Sequence, residues 1–167
     1  DIKSSLPENL DEIREKLRNL NVQDSYIDIL LSNFNLMNYF REVKIEIEKY
    51  HDFNSENYKK IILLAVNYIC VDVSGILQKE SDEKLIHFVN SENFVEILQM
   101  IANGELSSRG AKDLILMMMT DIPFDNLVEM EERNISARDI AEKNGLIQKN
   151  DKESLLNIID EVISNNQ

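Results

Sequence analysis

GELSSRGAKDLILMMM, residues 104–119, ends one helix and begins another within a single stretch. Gly104 reads as the stop, because glycine enters left-handed backbone without a Cβ penalty. Ser107 or Ser108 then offers a hydroxyl to the first free amides of a new helix. Ala111, Leu114, Ile115 and Met118 recur at helical spacing and predict a single buried stripe.

The same grammar continues outward. Downstream, Pro123 suits the first turn of a further helix. Ser136-Ala137-Arg138-Asp139 has capping-box spacing with Asp in the Glu position, and Asn144-Gly145 closes that helix. A last helix is expected from about Asp151, burying Leu155, Ile158, Ile159 and Val162.

Upstream, Leu10, Ile13, Leu17 and Leu20 follow Pro7 at helical spacing, and a short helix is expected over 24–32. Leu36, Phe40, Val43 and Ile47 mark a longer one reaching about Tyr50, and Ser55 is the expected cap after a polar loop. From Tyr58 to about Leu77 the chain is apolar on nearly all sides, which predicts a central buried helix. A loop near 78–82 and a short helix come next, then a helix capped by Ser91 with Phe94, Ile97, Leu98 and Ile101 on one face. No window alternates in strand fashion. The expected class is all-α in two small helical units, 1–103 and 104–167, moving partly independently about Asn103-Gly104.

Composition agrees. The chain has 167 residues, 43% of them apolar, with only 4 glycines and 2 prolines to build sheet turns. A net charge of −13 disfavours indiscriminate binding to nucleic acid or membrane, although it leaves room for a local basic patch. Cys70, the single cysteine, sits in an apolar run and predicts a buried inert thiol and a reducing, cytoplasmic setting (organellar if eukaryotic). The apolar run 61–71, broken by Asn67 and ended by Asp72, is short for a bilayer span, and no membrane partner is expected. The absence of an initiator methionine is read as a sign of an excised or processed product.

Most catalytic readings fail on the residues. His51 and His87 lie far apart and Cys70 lacks a cysteine partner at metal-site spacing, so no metal site is expected. Glu129, Glu131 and Glu132 lack the spacing of a calcium loop and read as a solvated helix face. No phosphate-cradling glycine loop and no activated nucleophile is visible, so no catalytic residue is assigned. Met117, Met118 and Met119 read as core before adaptable surface. Arg109 and Lys112 share a face in the first turns of their helix, where the dipole already favours anions, and make a candidate phosphate site. Arg133, Arg138, Lys143, Lys149 and Lys152 supply further bases downstream.

Several fragments in order carry a resemblance. They are Leu6-Pro7-Glu8, Asn38-Tyr39-Phe40-Arg41-Glu42 and Asn67-Tyr68-Ile69, then Gly104-Glu105-Leu106-Ser107 with Ala111-Lys112, then Gly145-Leu146-Ile147-Gln148 with Asp151. Together they resemble the C-terminal end of the B subunit of the tRNA-dependent amidotransferases, over nearly the whole chain. Tyr68 stands where that family has tryptophan, Arg41 where it has glutamate, and 120–133 is longer and more acidic than usual.

The resemblance implies a helical tail ending in a YqeY-like domain that binds tRNA(Gln) or tRNA(Asn) and catalyses nothing itself. ATP and magnesium would belong to a cradle domain that nothing in this chain resembles; the amidotransferase's A and C subunits would be partners through the parent protein. Carried onto this sequence, the tRNA contacts would be Arg109, Lys112, Arg138, Lys143, Lys149 and Lys152. Two other readings stand beside it, a stand-alone helical protein-interaction adaptor and a free-standing enzyme built on a carboxylate pair.

Overall fold

A computed structural model describes residues 9–79, 86–121 and 124–148. Regular structure there is helical throughout: α1 (Leu10–Asn19), α2 (Asp24–Ser32), α3 (Phe34–Glu48), α4 (Glu56–Asn67), a π-helical stretch (Tyr68–Val73), α5 (Ser74–Lys79), α6 (Ser91–Ala102), α7 (Ser108–Thr120), α8 (Phe124–Glu132) and α9 (Ala137–Lys143). The chain is all-α, as its periodicity predicts. Pro7, Pro123 and the expected helix from Asp151 lie outside the described residues.

Polar side chains set the starts. Asn33 Oδ1 accepts from Leu36 N–H and Ser55 Oγ from Tyr58 N–H, each at 3.1 Å. At α6 the expected cap shifts by one residue: Asn90 Oδ1, not Ser91, accepts from Asn93 N–H at 2.8 Å. Residues 86–90 ahead of it are not helical, so the short helix expected there is absent from those residues. They are held to α3 instead, where the Tyr39 hydroxyl donates to Val89 O at 2.7 Å. The Tyr39 ring stacks on Phe88 with centroids 4.6 Å apart.

One device ends four helices. Asn21, Gly104, Asn134 and Gly145 take positive φ of 64°, 76°, 54° and 67°. In each case the next residue's N–H reaches back to a carbonyl five positions earlier, as from Glu105 to Met100 at 2.8 Å and from Leu146 to Ala141 at 2.9 Å. The two glycine stops are the ones the sequence announces. The asparagines do the same work less visibly, since asparagine tolerates this backbone only moderately well.

The core is one apolar cluster. Phe40, Ile62, Ile69, Phe94, Ile97, Leu98 and Leu114 are among its fully buried members. Helix α6 lies at its centre, packed against α3, α4, α7 and α9. Members from both sides of Asn103-Gly104 belong to this cluster. Leu10, expected on the inner face of α1, is 59% exposed, and Ile13 and Leu17 carry that contact.

The central helix runs unbroken through α4, the π-helical stretch and α5, 24 residues from Glu56 to Lys79, longer than the apolar run 61–71 that marks it in the sequence. Length and composition alone would let it cross a bilayer, but 44% of its most apolar window is buried and α2, α3, α6 and α7 pack on it. That is the setting of a core helix. Cys70 is buried in it, and burial pushes the thiol up to about 12, so the inert reading holds.

Candidate nucleic-acid interface

Helix α7 begins on Ser107, whose Oγ accepts from Gly110 N–H at 2.9 Å. The Ala111 N–H returns to Ser107 O at 2.9 Å. Between them, the N–H groups of Ser108 and Arg109 meet no acceptor among the described residues. Arg109 is exposed and makes no ion pair there either. Two free donors, the positive end of a helix and an unpaired guanidinium together favour an anion.

Gly110 matters for a different reason. It is buried in the first turn, and a Cβ added there would meet Ser107 Oγ at 3.2 Å and Leu146 O at 3.6 Å. The segment after α9 therefore runs close to the start of α7. The Gln148 N–H donates to Glu105 O at 2.7 Å, which ties the two loops into one surface.

Lys112 lies one turn further along, its Nζ 3.9 Å from Asp72 Oδ1 in the π-helical stretch. The Lys112 side chain is 55% exposed and that of Asp72 14%. Burial holds the Asp72 carboxyl above its usual range while the Lys112 ammonium pulls the other way. Lys112 thus lies at the outer edge of ion-pair range from the central helix and presents its charge to water.

Arg138 is placed differently. Its guanidinium pairs through Nη1 with Glu105, and its Nε lies 4.0 Å from Glu96 Oε1. The hydrogen bond from Arg138 holds Glu105 below the ordinary carboxylate range and Arg138 above its own. The α9 start is also closed. The Ala137 N–H donates to Asn93 Oδ1 at 2.9 Å, Arg138 N–H to Glu96 Oε2 at 3.1 Å and Asp139 N–H to Ser136 Oγ at 3.2 Å. Asp139 Oδ2 in turn accepts from Ser136 N–H at 2.8 Å, the reciprocal half of the expected capping box. No backbone N–H of that first turn is left without an acceptor among the described residues.

Lys143 is exposed in the last turn of α9, where the dipole welcomes a cation, and pairs with nothing among the described residues. Lys149 and Lys152 lie outside those residues. Arg109 and Lys112 therefore share the α7 face, Lys143 stands on α9 against which α7 packs, and Arg138 is engaged by Glu105 while staying partly exposed. Asp72, Asn93, Glu96 and Glu105, which decide how the bases are presented, carry no sequence signal, since each acts on a partner far along the chain.

The GatB domain family matches residues 52–167, from the loop before α4 onward. The B subunit of aspartyl/glutamyl-tRNA(Asn/Gln) amidotransferase from Fusobacterium nucleatum is 28% identical over 100% of this chain and 30% of its own length. The Pelagibacter ubique protein of the same name is 25% identical over 99% of this chain and 30% of its own length. That of Lysinibacillus sphaericus is 30% identical over 62% of this chain. The chain thus spans about 30% of the length of the first two. No solved structure matches it.

Proposed function

The chain belongs to the GatB domain family, and on that premise we propose that it is a non-catalytic tRNA-binding module of an amidotransferase B subunit. It would hold misacylated Glu-tRNA(Gln) or Asp-tRNA(Asn) while ATP-dependent transamidation proceeds elsewhere, on a cradle domain and the amidase (A) subunit, with the small C subunit in the same complex. The division at Asn103-Gly104 would separate a supporting helical unit, 1–103, from the RNA-facing unit, 104–167. The names of the relatives support the tRNA context. The observation that carries the RNA face is the open start of α7 with Arg109 exposed beside it.

Bulk charge cannot do this work. From residue 104 onward there are 7 bases against 13 acids, so the unit repels phosphate on average. Contact has to be local: Arg109, Lys112 and Lys143 to backbone phosphates, with Lys149 and Lys152 continuing the set. Arg138 would contribute by shaping the loop through Glu105. Structured RNA is commonly held in this way, by shape and phosphate geometry. Affinity of the isolated chain should be weak and fall steeply with salt as counterions are released.

The test uses the complete enzyme. Arg109→Glu with Lys112→Glu should raise KM for tRNA and leave glutaminase activity unchanged. An unchanged KM at low salt, with reversals elsewhere abolishing tRNA affinity, would show that the RNA face lies elsewhere.

A further inference from the structure

The Arg138 side chain lies against the loop that leads into α7. Its Nη1 pairs with Glu105, two residues before the Ser107 cap, and its Nε lies 4.0 Å from Glu96 Oε1. Arg138 is 39% exposed and Glu105 27%, so solvent reaches the pair. Arg109, two residues after the same cap, has no such partner among the described residues.

This corner of the fold does not depend on the ion pair. Backbone groups close it. The Glu105 N–H donates to Met100 O at 2.8 Å and Glu105 O accepts from Gln148 N–H at 2.7 Å. The Ala137 and Arg138 N–H groups reach Asn93 and Glu96. A partly solvated ion pair adds little to such a frame. The Glu105 carboxylate decides instead how much charge Arg138 can offer. A guanidinium binds carboxylate and phosphate through the same fork of N–H donors, so one anion excludes the other from a given edge. With Glu96 also in range, two acids face one base.

We propose that Glu105 is a built-in competitor for phosphate, which holds Arg138 back from the anion-binding face at the start of α7. A phosphate gains Arg138 only where the RNA backbone is placed to displace that carboxylate. Loosely held single strands are thereby disfavoured, a selectivity obtained by weakening the wrong complex. That purpose rests on the tRNA-binding reading; the competition itself does not.

The full chain is titrated with a fluorescent oligouridylate over a series of salt concentrations. Glu105→Gln removes the charge but keeps the side chain's length and its acceptor for Asn103 Nδ2. It should tighten binding about fivefold at low salt and steepen the salt dependence by about 0.7, the share of one further phosphate contact on a single strand. Adding Arg138→Gln should cancel the gain. Glu131→Gln, an equal change in net charge at an exposed position of α8, should give much less. Unchanged circular dichroism confirms the fold, as expected for a partly exposed loop residue. Three results overturn the proposal: no gain, a gain that survives Arg138→Gln, or an equal gain from Glu131→Gln. A gain that needs Arg138, with KM for tRNA unmoved by the Arg109 and Lys112 reversals, would keep the competition and remove the tRNA reading. The opposite pair of results would do the reverse.

Discussion

Helices α7 and α9 open on the same short phrase and finish it differently. Each has a serine cap followed two residues later by an arginine, Ser107 with Arg109 and Ser136 with Arg138. The third residue decides the outcome. At α9 it is Asp139, whose carboxylate completes the capping box, while Asn93 and Glu96 of α6 take the remaining donors. At α7 it is Gly110, which returns nothing to the cap and leaves two amides and a guanidinium free among the described residues. One start is spent on holding the fold together. The other keeps its donors open among the described residues.

The sharpest way to break this comparison is to reverse each arginine. Arg138→Glu would set a third carboxylate against Glu96 and Glu105. Because the pair is partly solvated, with Arg138 39% exposed, the expected loss is about 1–2 kcal/mol rather than that of a buried pair. Arg109→Glu should change stability by less than about 0.5 kcal/mol, as surface substitutions do. Urea unfolding of both variants checks this, and equal losses would mean that Arg109 is structural too.

A second test asks whether the difference between starts extends to whole units. The proposed division at Asn103-Gly104 predicts that α7 and α9 exchange amide hydrogens through a smaller opening than α4 and α6, by about 1–2 kcal/mol. The core crosses that link, with α6 packed on both α7 and α9, so the opposite result is readily imagined. Equal protection on the two sides would make residues 1–103 and 104–167 one cooperative body.

What the sequence carried follows from how local each signal is. The Ser136 cap, the Gly104 and Gly145 stops and the stripe from Ala111 to Met118 are all read within a turn or two of themselves and found in place, and of the two caps offered at α7, Ser107 and Ser108, it is Ser107 that serves. The sorting of Arg109 from Arg138 was not legible. It depends on Glu96 and Glu105, 42 and 33 residues from Arg138 in the chain, and on α6 lying against α9. The π-helical stretch was hidden for a similar reason. A local i, i+5 pattern over Tyr68–Val73 leaves apolar spacing nearly unchanged over one turn.

The two caps offer a smaller, cleaner contrast. Ser136→Ala should cost about 1 kcal/mol, because the reciprocal bond from Ser136 N–H to Asp139 then lacks its partner half. Ser107→Ala should cost less, near the lower end of about 0.5–2 kcal/mol, since a single bond to Gly110 N–H is lost. Thermal melts of the two variants decide it, and a larger loss at Ser107 would show that the α7 start is the more structural of the two.

The smallest effect is one of sign with pH. At α9, hydrogen bonding to Arg138 holds Glu105 below its ordinary range, and bonds from Ser136 do the same for Asp139. A depressed carboxylate contributes stability that is present above its unfolded pKa and is lost as pH falls through the folded value. Beneath α7, burial raises Asp72 instead. There the folded chain binds the proton more tightly, so this carboxylate favours the fold at low pH and costs stability as pH rises from its unfolded value through its folded one. Acidification should therefore protonate Asp72 first, which ends its attraction for Lys112 while relieving the cost of a buried charge, and should loosen the α9 clamp only at lower pH. Following the Arg138 Nε–H and Lys112 side-chain resonances from neutral pH down through the carboxylate range measures both at once. Asp72→Asn should flatten the α7 response and Glu105→Gln the α9 response. Loosening of both sites together would mean that the two helix starts are governed by a common unfolding, not by their own carboxylates.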